Sequence, residues 1–63
     1  MEKINGLDFE VLKGERFVVI TINDTKHFLA GYDFIDSLLN KGYELTAINS
    51  ISMGTGYIAY LKK

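Results

Sequence analysis

Apolar and polar positions alternate early in the chain. Asp8 and Glu10 interleave with Phe9 and Val11, the period of two that marks a half-buried strand. The stretch before it, Met1 to Leu7, reads as an irregular lead-in with Asn5-Gly6 as a turn signal. Lys13-Gly14-Glu15 interrupts the alternation, and Gly14 is expected to supply the positive φ of a tight hairpin. Arg16 to Ile22 follows, with Val18, Val19, Ile20, Thr21 and Ile22 all β-branched, which favours a pleated surface. Val18, Ile20 and Ile22 fall on one face, and Phe17, Val19 and Thr21 on the other. Both faces are largely apolar, so this strand is expected to be central and covered on both sides.

The period then changes. Phe28, Leu29, Tyr32, Ile35, Leu38 and Leu39 recur at helical spacing. Asn23-Asp24-Thr25 offers N-cap candidates, which predicts one helix of about 17 residues starting at Thr25. The alternative is a loop as far as Gly31 and a shorter helix capped by Asp33. Lys41 suits the last turn and Gly42 the position just past it.

Tyr43 to Ile51 reads as a strand with Tyr43, Leu45, Ala47 and Ile51 on one face. Glu44, Thr46, Ile48 and Ser50 take the other. Ser52 to Gly56 is the turn, and Tyr57 to Lys62 the last strand, with Tyr57, Ala59 and Leu61 opposite Ile58, Tyr60 and Lys62. The expectation is a single α+β domain over residues 1–63. Its order is β-β-α-β-β, an antiparallel sheet with one helix packed on one face. One helix covers only one face, which leaves Phe17, Val19, Ile48, Ile58 and Tyr60 as a candidate self-interface or partner surface.

Composition sharpens that expectation. A chain of 63 residues buries only ~60% of its unfolded surface, so its core needs a supplement. There is no cysteine, which removes disulfides and thiolate metal sites, and the single His27 cannot anchor zinc within one chain. Association is the supplement left, so a homodimer or higher oligomer is expected. The net charge of −1 lacks the basic stripe of a nucleic-acid binder; the Lys62-Lys63 pair is read as solvated. No leading apolar run is present in MEKINGLDFE and no run approaches ~20 apolar residues. A cytoplasmic location and no membrane partner are the expectations. Lysine outnumbers arginine six to one, a skew that suggests an AT-rich coding sequence such as that of a low-GC bacterium or its phage.

Candidate chemistry is sparse. The loop Ser52-Met53-Gly54-Thr55-Gly56 could form an anion nest, but a phosphate loop needs a following helix and lysine. A hairpin turn is the better reading. His27 has Asp24 three residues away and no nucleophile in a recognisable motif. Asp33 and Asp36, at i and i+3, are near enough to share a cation but are read as capping and charging a helix N-terminal turn or sitting on its wet face. No constellation supports catalysis, and neither a cofactor nor a metal is expected.

One stretch resembles a known pattern. LLNKGYELTAI with YIAYLKK resembles a group of small uncharacterised bacterial and phage domains. Leu39, Asn40, Gly42, Tyr43, Glu44, Leu45, Tyr60 and Lys62 carry the match. That group more often has tryptophan before the Glu-Leu pair, where this chain has Tyr43, and an extra glycine-containing step. The resemblance covers about half the chain, implies a compact α+β domain and supplies no activity.

The functional expectation is therefore a non-enzymatic, self-associating protein-interaction module. By analogy, small bacterial or phage domains of this sort suit inhibitors, for example a mobile-element protein that blocks a host protein such as a defence nuclease. The alternative is a small-ligand, nucleotide-like site in an oligomer, held by Gly54, Thr55, Gly56 and Tyr57.

Overall fold

The computed structural model describes Glu2, Lys3 and residues 9–63, without the side chains of Glu2, Lys3 and Ser52. The Asn5-Gly6 turn signal and Asp8 lie outside the described residues. Five strands and one α-helix follow in order: β1 (Glu2–Lys3), β2 (Glu10–Lys13), β3 (Phe17–Ile22), α1 (Phe28–Asn40), β4 (Glu44–Ile51) and β5 (Gly56–Lys62). The long strands keep the expected β-β-α-β-β order. The lead-in is not wholly irregular, because Glu2 and Lys3 pair with Lys13 and Leu12.

The sheet is antiparallel throughout, ordered β1-β2-β3-β5-β4. β3 and β5 are its inner long strands, and β4 forms an edge. The apolar alternation of β3 becomes packing: Val18, Ile20 and Ile22 are buried with Val11 from β2, Tyr57, Ala59 and Leu61 from β5, and Ile35 and Leu38 from α1. Each fully buried aliphatic side chain contributes about 1.5–3 kcal/mol of transfer free energy. Among the described residues β3 is nevertheless covered on one side only, where cover on both was expected. Phe17 is exposed and Val19 and Thr21 are half-buried, because the single helix reaches only the opposite face.

The helical segment begins where the longer reading placed it. A 3-10 turn at Thr25–His27 leads straight into α1. Asp24 is its N-cap, and its carboxylate accepts from the His27 backbone N–H at 3.2 Å; Asp33 is an exposed residue inside α1. The other end closes as the glycine predicts. Gly42 (φ +97°) donates to Leu39 O, and Tyr43 donates to Leu38 O, the paired bonds of a Schellman motif.

Two local expectations change. Gly14 is not among the positive-φ residues. Its value is space, since a Cβ there would overlap the Phe17 ring. The second change is larger. Leu45 pairs with Leu61 but Ala47 pairs with Tyr60, so a β-bulge falls at Thr46, whose hydroxyl donates to Tyr60 O at 2.9 Å. One extra residue reverses the facing of everything beyond it. Ile48 therefore pairs with Ala59 and stands on the helix side, while Ala47 and Ile51 move to the outer face.

Candidate interaction surfaces

The outer face of the sheet is assembled by register. Leu12 pairs with Val19, Val19 with Tyr60, and Tyr60 with Ala47, giving one row across four strands. Beside it, Glu10, Thr21, Ile58 and Asn49 form a second row, and Phe17, Lys62 and Glu44 a third. Four of the expected surface residues, Phe17, Val19, Ile58 and Tyr60, are thus brought together. Phe17 and Tyr60 are 38% and 40% exposed, and Val19 and Ile58 are half-buried. Ile48 does not belong with them, for the bulge has turned it to the other side. Leu12, Ala47 and Ile51 join the face instead. Leu12 was legible from the period of two; Ala47 and Ile51 were not, because the bulge decides their side. Charges stand among the rows, with Glu10 in the second and Lys62 and Glu44 together in the third.

On the helix side, α1 leaves β4 uncovered. Leu45 and Ile48, which face this side, are 39% and 44% exposed. The buried line of α1 runs through Gly31, Ile35 and Leu38, with Phe34 packing edge-on against Phe9 at 5.8 Å. Leu29, Tyr32 and Leu39 lie off that line, the first 76% exposed. Tyr32 and Leu39 form a second apolar flank, while Leu29, about 160° round the helix from Gly31, points away from the sheet. Tyr32 on this flank meets Ile48 across a cleft also walled by Phe28, Gly54, Gly56 and Tyr57.

That cleft contains most of the alternative ligand residues. Tyr32 stacks on Tyr57 at 5.0 Å and 9°, and Phe28 meets Tyr57 edge-on at 5.1 Å. The Tyr57 hydroxyl donates to Phe28 O at 3.1 Å. Burial, with the neighbouring Tyr32 as a smaller cause, pushes the Tyr57 phenol up from 10.0 to about 12. Tyr57 therefore serves as a buried strut between β5 and α1. Gly56 is also structural: a Cβ there would overlap the Ile22 carbonyl. Gly54 (φ +95°) and the fully exposed Met53 (φ +56°) shape the turn, with Thr55 exposed beside them. The cleft measures about 220 Å3, below the ~300 Å3 at which small-molecule sites begin.

The remaining candidates are local. His27 Nδ1 lies 2.8 Å from the Asp24 carboxylate that caps its own backbone N–H, so this pair fastens the helix entrance. Asp33 and Asp36 are exposed on α1. Among the described residues no three His, Cys, Asp or Glu side chains gather closely enough to hold a metal ion. No helix among them is long and apolar enough to cross a membrane.

No family model, curated protein or solved structure matches the chain. The likeness around Leu39–Leu45 remains a resemblance.

Proposed function

We propose that the chain is a non-enzymatic interaction module that self-associates and docks on another protein. The observation that carries this reading is the outer face of the sheet, which no other described element covers. A soluble monomer rarely leaves a contiguous apolar face of this kind in water, and here Leu12, Val19, Tyr60 and Ala47 run unbroken across it. Tyr60 in the central row, with Phe17 and charges in the flanking rows, is the make-up of a protein-protein contact. The small core argues the same way, since association supplies burial that 63 residues cannot supply alone. A mobile-element inhibitor of a host protein, such as a defence nuclease, is the class of role this reading suits, on analogy only.

The test uses the chain as bait in a low-GC bacterial lysate beside the double variant Val19→Lys/Tyr60→Lys. A saturable protein partner captured by the parent and lost by the variant supports the reading. Equal capture by both, or none by either, contradicts it. The small-ligand alternative has less support, given the size of the cleft and the occupation of Tyr57 by its own helix. It predicts melting-temperature shifts with nucleotides that follow RT ln(1 + [L]/Kd); the interaction reading predicts none.

A further inference from the structure

The geometry points to β4 as the self-association site: a second copy adds its own β4, antiparallel and about a two-fold axis, to make one continuous sheet. The inference rests on the self-association reading and assigns it a surface. β4 is the edge of the sheet, and Glu44 to Ser50 are all exposed. Its far side therefore presents backbone donors and acceptors that no strand among the described residues receives, a template for another strand. Natural edges are blunted by charged side chains such as lysine, by proline, by β-bulges or by very short length. β4 has eight residues, none of them lysine or proline, and only Glu44 is charged. The bulge at Thr46 is its one irregularity.

A second copy is the occupant that fits. Leu45 to Ile51 is uncharged with Ile48 at its midpoint, so two-fold pairing there brings no like charges together. The two Glu44 carboxylates would fall eight residues apart, about 27 Å at ~3.4 Å per residue and well beyond the ~8 Å screening length. The symmetry also uses the helix side. Each copy brings Leu45 and Ile48 with the Tyr32 and Leu39 flank of α1 to the same side of the joined sheet, where the two sets face each other. These side chains and the paired strand backbones are buried together at the seam. The two outer faces then merge into one larger docking surface.

The test compares the parent chain with Ile48→Lys, Asn49→Lys and Val19→Lys by sedimentation velocity over a dilution series. All three substituted positions lie on exposed or half-buried sheet surface, and circular dichroism confirms that each variant is folded. The expected result is a concentration-dependent dimer for the parent and for Val19→Lys. Ile48→Lys and Asn49→Lys set two ammonium groups near the axis and weaken dimerisation at least tenfold. Amide exchange provides a check on the parent without substitution: exchange across residues 45–51 should slow as concentration rises. Loss of the dimer in Val19→Lys with concentration-independent exchange in β4 overturns this assignment and leaves self-association standing. A parent that is monomeric throughout overturns both.

Discussion

Gly31 lies in the interior of α1, where glycine costs a helix about 1 kcal/mol against alanine. Packing explains it. A Cβ at this position would overlap the Tyr57 hydroxyl and come within 2.8 Å of Ile22 Cδ1. Overpacking a filled site costs about 1–3 kcal/mol, which outweighs the propensity gain. Gly31→Ala is therefore expected to lower stability by about 1 kcal/mol in urea unfolding. In a Tyr57→Phe background, where the obstructing hydroxyl is gone, the penalty should shrink. Tyr57→Phe alone removes the bond to Phe28 O and should cost about 1 kcal/mol near neutral pH. The Tyr57 phenol ionises near 10.0 when unfolded and near 12 when folded. The fold thus holds the protonated form, its contribution is complete below pH 10, and it is lost as pH rises toward 12. The slope is up to about 1.4 kcal/mol per pH unit. The stability gap between parent and Tyr57→Phe should accordingly narrow between pH 10 and 12. A gap that is constant over that range would contradict the strut role.

Among the elements, those with strong local signals were legible. The β-branched run of β3 and the Gly42 stop of α1 stand where their chemistry places them. Asp24 as cap was also legible, and Asp24→Ala should lower the melting temperature through the loss of about 1 kcal/mol at the helix entrance. If the melt is unchanged, the bond to the His27 N–H contributes nothing. The facing of β4 was not legible. Thr46 is an ordinary strand residue in sequence, and its bulge arises from pairing against β5 and the bond to Tyr60 O, a non-local event. That one inserted residue moved Ile48 out of the candidate surface and Ala47 into it. The helix stripe was misread for a related reason. Leu29, Tyr32 and Leu39 match the helical period, yet Gly31 and Phe34 lie nearer the sheet. Periodicity finds an apolar face, and only the packing partner fixes its centre.

At the scale of the whole molecule, one helix serves a sheet that is wider than it can cover. Apolar surface remains on the outer face, and on the helix side beside β4. These two surfaces have separate uses in the account: β4 joins two copies, and the merged outer face meets another protein. The division predicts that charge placed at Ile48 and charge placed at Val19 act on different assemblies, one on mass and the other on partner capture. No rearrangement of the fold is required for either.

The most direct measurement is the solution mass of the unmodified chain by light scattering, followed from high to low micromolar concentration. The account predicts a particle of twice the 7.1 kDa chain mass at the upper end, falling toward 7.1 kDa on dilution. A particle that remains at 7.1 kDa at every concentration would contradict it.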